Sequence, residues 1–137
     1  MPQQGDVYTI TLKETHLNWG THRYTNTRDR IYGEGYIPIP RNIAIGFGIY
    51  NSNYESNHEL GVSLFRCVSS DGNFDGFLKA SGSMVAGDEY AKQFQGLGDL
   101  KALGSWFSAV NAQVGDQVKV EWTSSTDVVI TLFQINP

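Results

Sequence analysis

Side chains suited to molecular recognition concentrate between Trp19 and Tyr36, in the stretch WGTHRYTNTRDRIYGEGY. Arg23, Arg28 and Arg30 stand there beside Thr21, His22, Tyr24, Thr25, Asn26 and Thr27, opposed only by Asp29 and Glu34. The chain as a whole is acidic, with 10 Lys+Arg against 14 Asp+Glu and a formal net charge of −4. A basic stretch on an acidic chain is a local device rather than a by-product of composition. Guanidinium forks match guanine edges and phosphates, and the Asn amide matches the adenine edge, so the chemistry suits a DNA groove. The plainer reading is a solvated surface loop, because basic patches on globular domains are common.

Catalytic patterns are weaker. His16, His22 and His58 are scattered, with no lysine two residues away and no second histidine close by. The triplet Asp99-Leu100-Lys101 matches the tail of the Mg²⁺-dependent nuclease pattern. Asp99, however, reads as a helix start rather than a strand, and short tails of this kind recur by chance. No GxSxG elbow is present, and Cys67 lies mid-strand, where a thiol is a core side chain. Gly46-Phe47-Gly48 is only a fragment of a phosphate loop and reads as backbone packing. No catalytic residue, metal site or cofactor is expected.

The elements that must position the basic stretch follow from patterning. At 137 residues, with 40% hydrophobic and 18% charged residues, the chain reads as one globular domain. A single cysteine excludes an internal disulfide framework. The N-terminus lacks the apolar run of a signal peptide, and no run approaches membrane-spanning length, so a cytoplasmic protein is expected. Val7 to Leu12 alternates as a strand, as do Gly61 to Val68, Phe77 to Ser81, Gln117 to Trp122 and Val128 to Ile135. Tyr36 to Ile39 is extended, and its prolines keep it from the middle of a ladder. Arg41 to Tyr50 fits either a short helix or a strand. One helix is expected from Asp88, with Tyr90, Phe94 and Leu97 on a face. A second is expected from Asp99, burying Leu100, Leu103, Trp106, Phe107 and Val110. Trp106 and Trp122 read as core, and Trp19 as a core plug or a stacking platform. Mostly strands, with helices before the final hairpin, suit a small barrel or sandwich.

The C-terminal half resembles the DNA-binding pseudobarrel superfamily, which includes the plant B-three domain and the recognition domains of several restriction endonucleases. The likeness is carried by Gly104-Ser105-Trp106-Phe107, Val114-Gly115-Asp116, the QVKVEW strand and Val129-Ile130-Thr131-Leu132-Phe133. The N-terminal half is similar to the restriction-enzyme branch through Leu17-Asn18-Trp19-Gly20, the arginine-bearing loop and Gly35-Tyr36-Ile37-Pro38-Ile39-Pro40. Phe65-Arg66-Cys67 and Leu78-Lys79-Ala80-Ser81 also have counterparts there. The resemblance implies an α+β, mostly β fold: an open pseudobarrel of about seven strands with short helices closing the ends, over residues 1–137. It also implies two arms that grip the DNA major groove, Thr21 to Tyr32 and Ser69 to Ser81. Site residues would be Thr21, His22, Arg23, Tyr24, Thr25, Asn26, Arg28 and Arg30 in the first arm, and Ser69, Ser70, Asn73, Lys79 and Ser81 in the second. Asp71 and Asp75 could accept from cytosine amino groups, though Asp71 before Gly72 suits a turn former better.

The expected function is sequence-specific binding of double-stranded DNA, as recognition module of a restriction-type system whose cutting belongs to another domain or chain. Two other readings use other residues. Tyr24, Tyr32, Tyr50 and Tyr54 with Asn51, Asn53 and Asn57 would suit a carbohydrate-binding β module. Asp99 and Lys101 would serve the Mg²⁺-dependent nuclease. A purely structural subunit is also compatible with the sequence.

Overall fold

A computed structural model describes residues 1–17, 34–55, 57–82 and 88–135. Seven strands form one mixed sheet: β1 (Val7–Thr11), β2 (Ile37–Pro38), β3 (Leu64–Ser69), β4 (Asp75–Ser81), β5 (Gln93–Gly96), β6 (Gln117–Trp122) and β7 (Asp127–Phe133). Among the described residues there are three short helices, α1 (Glu14–Leu17), α2 (Arg41–Phe47) and α3 (Ala102–Ala109). The strand order is β1-β6-β7-β3-β4-β5-β2. Among the described strand pairs only β3–β7 is parallel. The sheet curls into a nearly closed barrel, an α+β pseudobarrel dominated by strands. No described helix is long and apolar enough to cross a membrane.

Alternation decides which side chains fill the barrel. In β6, Val118, Val120 and Trp122 are buried, while Gln117, Lys119 and Glu121 are half-buried on the outer wall. In β3, Phe65, Cys67 and Ser69 turn inward and Arg66 and Val68 outward. Trp122 is the centre of the core. Phe65 of β3 and Phe47 of α2 meet it edge-on, at centroid distances of 5.8 and 5.6 Å. Phe94 of β5 and Tyr8 of β1 lie tilted against it, each at 6.2 Å. Burial, with the Asp75 charge second, pushes the Cys67 thiol far up, so it is a protonated core side chain.

The two edge strands, β1 and β2, meet across the seam of the barrel through one side chain. The Tyr8 hydroxyl donates to the Pro38 carbonyl at 3.0 Å. This carbonyl sits beside a proline with no N–H to offer, so the seam cannot be an ordinary ladder. Burial raises the Tyr8 pKa well above its ordinary value, which keeps the phenol a donor. Tyr8→Phe keeps the ring packed and leaves the buried carbonyl without its donor. We expect a loss of about 0.5–1.5 kcal/mol in urea unfolding. An unchanged midpoint would show that the seam is closed by packing alone.

One sequence expectation changes, and one left open is decided. The helix expected from Asp88 is absent over residues 88–97: Gln93–Gly96 is strand β5, bonded to β4 on one side and β2 on the other. Tyr90, Phe94 and Leu97 have helical spacing, yet Phe94 is buried while Leu97 is 44% exposed. Strand neighbours on both edges satisfy the backbone there, and tertiary pairing overrides local pattern. Asp88 instead closes a turn by accepting the Tyr90 N–H at 3.0 Å, and pairs with Arg41. Arg41–Phe47, compatible with helix or strand, is helix α2.

Candidate nucleic-acid interface

One rim of the barrel carries the described flanks of residues 18–33 and the turn at 70–74. β1 runs to that rim and continues through α1 into residues 18–33, and the chain returns there to start β2. β3 runs to the same rim, turns through residues 70–74 and comes back as β4. Antiparallel pairing along the sheet, with the single parallel β3–β7 step, fixes this placement. Residues 18–33 carry Thr21, His22, Arg23, Tyr24, Thr25, Asn26, Arg28 and Arg30, and with Trp19 they lie outside the described residues.

The root of the first loop is defined. The Tyr36 N–H donates to the His16 carbonyl at 3.1 Å, and the two rings meet edge-on at 5.2 Å. His16 is buried and its Nδ1 accepts the Lys13 N–H at 3.0 Å. Burial, then the Lys13 charge, lowers the His16 pKa, so this ring is neutral and its Nδ1 free to accept. Glu34, read in the sequence as an acid opposing the arginines, is fully buried at this root. Gly35 lies directly on α3: a Cβ there would stand 3.1 Å from the Gly104 Cα and from Phe107 Cδ2. A side chain at Gly35 would therefore press closely on the α3 backbone.

The second loop is smaller than the sequence suggested. Residues 75–81, expected in the arm, form strand β4 of the barrel wall. What projects is the turn at 70–74. Ser69 is buried and its Oγ donates to Asp71 Oδ1 at 2.7 Å and accepts the Phe74 N–H at 2.9 Å. Asp71 Oδ1 also accepts the Asn73 N–H at 2.8 Å, and its Oδ2 accepts the Trp106 indole N–H at 3.1 Å. Desolvation opposes the Asp71 charge. The hydrogen bonds from Ser69, Asn73 and Trp106 outweigh it and hold the carboxyl below its usual range. Asp71 is therefore a turn former, its carboxylate engaged by Ser69, Asn73 and Trp106.

The five residues expected from this arm separate accordingly. Ser70 and Asn73 are exposed at the tip, and no described residue bonds to the Asn73 side-chain amide. Ser69 serves the turn. Ser81 is buried at the far end of β4, its Oγ 3.3 Å from Gln95 Oε1. Lys79 lies on the outer wall between Leu64 and Gln95, six residues from the tip and about 20 Å along the strand.

Residues invoked by the other readings are placed as well. Asn51 is buried, with Nδ2 donating to the Asp88 carbonyl and Oδ1 accepting the Asn53 N–H; Asn53 Nδ2 donates to the Gly82 carbonyl. Tyr50 stacks on Tyr90 at 5.4 Å. Asn51, Asn53 and one face of Tyr50 are thus engaged within the protein, while Tyr24 and Tyr32 lie outside the described residues. Asp99 accepts the Lys101 N–H at 3.0 Å, a turn leading into α3. Among the described residues no three His, Cys, Asp or Glu side chains gather as a metal site.

Sequence reasoning identified Trp106 as core but missed its polar role, although Asp71 before Gly72 signalled the turn that receives it. No signal pointed to the close approach of Gly35 to Gly104, residues far apart in the chain.

No family model matches this sequence, and no curated protein matches it. Among solved structures, the N-terminal domain of Helicobacter pylori LlaJI.R1 shares the fold, with a TM-score of 0.56 over 96% of this chain and 89% of that one at 9% identity.

Proposed function

We propose that this chain binds double-stranded DNA sequence-specifically, as the recognition module of a restriction-type system in the cytoplasm, with strand cleavage left to another domain or chain. The observation that supports the reading is that the described flanks of residues 18–33 and the turn at 70–74 share one rim of the pseudobarrel. Residues 18–33 hold Arg23, Arg28, Arg30 and Asn26 in sequence, and the turn holds Asn73 and Ser70. The fold it shares with a domain named for a restriction-system protein supports the same reading. The resemblance to the pseudobarrel superfamily, in its restriction-enzyme branch, points the same way.

In this reading the two loops enter the major groove from one side. The arginines anchor phosphates and read guanine, and Asn26 and Asn73 read adenine. Ser70 is close enough to the tip to reach a phosphate. Lys79 and Ser81 belong to the barrel wall and Ser69 to the turn, so the proposed second contact is narrower than the full Ser69–Ser81 arm.

The test is a titration of a randomised duplex pool at several salt concentrations. With about three to six phosphate contacts, affinity should fall ten-fold or more between low and physiological salt. Selection from the pool should yield one preferred site. No duplex binding even at low salt would overturn the reading, and a tight glycan on an array would favour the sugar-binding alternative.

A further inference from the structure

Helix α3 meets Gly35 on one side and the turn at 70–74 on another: Gly104 lies under Gly35, and Trp106 donates its indole N–H to Asp71. These residues are two apart in sequence, about 200° around the helix axis. We propose that Trp106 is a positioning residue that holds Asn73 in its DNA-reading orientation through Asp71. The inference deepens the DNA-binding reading and rests on it.

The turn at 70–74 is held within itself by three links: Ser69 Oγ to Asp71 Oδ1, Asn73 N–H to Asp71 Oδ1, and Phe74 N–H to Ser69 Oγ. Gly72 N–H adds a fourth by donating to the Ser69 carbonyl at 3.1 Å. The Ser69 N–H donates to the Phe74 carbonyl at 2.9 Å and Phe74 is buried, so the base of the turn is rooted in β3 and β4. The Ser70 N–H ties it to β7 through the Ile130 carbonyl at 2.9 Å. Trp106 ties its other side to α3. Trp106 is 1% exposed, so the indole cannot swing away without opening the core. Asn73 therefore inherits its direction from a fixed ring. Bidentate pairing with a base edge loses strength steeply with misalignment, so removing the tie to α3 should blur what Asn73 reads while leaving the turn itself intact.

The test compares wild type, Trp106→Phe and Asn73→Ala on the selected duplex and on its single-base variants. Trp106→Phe keeps an aromatic ring in the core and deletes the N–H. We expect it to weaken binding about ten-fold and to relax discrimination at the same base pair that Asn73→Ala relaxes. Adding Asn73→Ala to Trp106→Phe should then change little, whereas adding Arg28→Ala should have its full effect. Should Trp106→Phe fail to fold, Asp71→Asn, which leaves the indole in place and sets an amide against its donors, is expected to give the same pattern. Unchanged discrimination in a folded variant, or a loss spread evenly over all base pairs, would overturn the proposal. A free-protein measurement separates this failure from failure of the DNA reading. In ¹⁵N relaxation the Asn73 amide should have an order parameter near 0.85 in wild type and fall towards about 0.6 in Trp106→Phe. If wild type bound no duplex yet this drop appeared, the clamp would stand and the DNA reading would fall. No drop would sink the clamp whatever the DNA result.

Discussion

Trp122→Ala is expected to cost about 3–5 kcal/mol of folding free energy, the usual range for emptying a buried tryptophan site. This is a large share of the roughly 5–15 kcal/mol that holds a domain of this size together. Trp122 joins strands β1, β3 and β5 to helix α2 through Tyr8, Phe65, Phe94 and Phe47. Four rings from four elements cannot all move into one hole, so the cavity will not collapse fully. One term works the other way. The Trp122 Nε1–H is buried and finds no hydrogen-bond partner among the described residues. Its removal relieves a desolvated donor, worth about 1–3 kcal/mol, which places the expected loss in the lower half of the range. Trp122→Phe removes the same donor while keeping a ring, and should cost clearly less than the alanine variant. Urea unfolding of both variants checks this. A loss under about 1 kcal/mol for Trp122→Ala would mean that Trp122 is not the hub of the core.

Much of the barrel was legible in the sequence because its strands alternate. Gln117 to Trp122 was read with the same limits as strand β6, since one face of it meets the core and the other does not. Strand β5 was not legible. It is four residues long, has neighbours on both edges and buries Phe94, Gln95 and Gly96 in succession, so period two disappears and a chance helical spacing remains. The extent of the second loop was overestimated for a related reason. Lys79 and Ser81 carry polar chemistry and stand in Phe77 to Ser81, itself read as a strand; pairing with β3 and β5 puts that strand in the wall rather than in a projecting arm. The site was legible in its parts and not in its assembly. Asn73 stood out by residue type, and Asp71-Gly72 by turn chemistry. What ties Gly35 and the turn at 70–74 to α3 is a close glycine-on-glycine approach and one indole hydrogen bond, both between residues more than 30 positions apart. Local patterns carry no trace of such contacts.

The largest expected effect on binding belongs to the first loop. Replacing Arg23, Arg28 and Arg30 together by alanine should lower affinity for the selected duplex about 100-fold or more at low salt. Three lost contacts at about 1 kcal/mol each would give that, and any arginine reading guanine bidentately would add about 1–3 kcal/mol of discrimination. The fold should survive. The loop root is held by His16, Tyr36, Gly35 and α3, none of which the variant alters, and loop substitutions each cost within about 0.5 kcal/mol. Salt dependence then sorts the roles. Each phosphate contact contributes about 0.9 to the slope of log affinity against log salt, so three such contacts would lower it by about 2.7. A smaller change in slope, with relaxed preference at a guanine, would assign one arginine to the base edge. Because the variant also moves the net charge from −4 to −7, binding to an unrelated duplex is measured alongside, and a specific contribution appears as a larger loss on the selected site. A triple variant that stays folded and binds the selected duplex like wild type would take the first loop out of the interface, and with it the main support for DNA recognition by this chain.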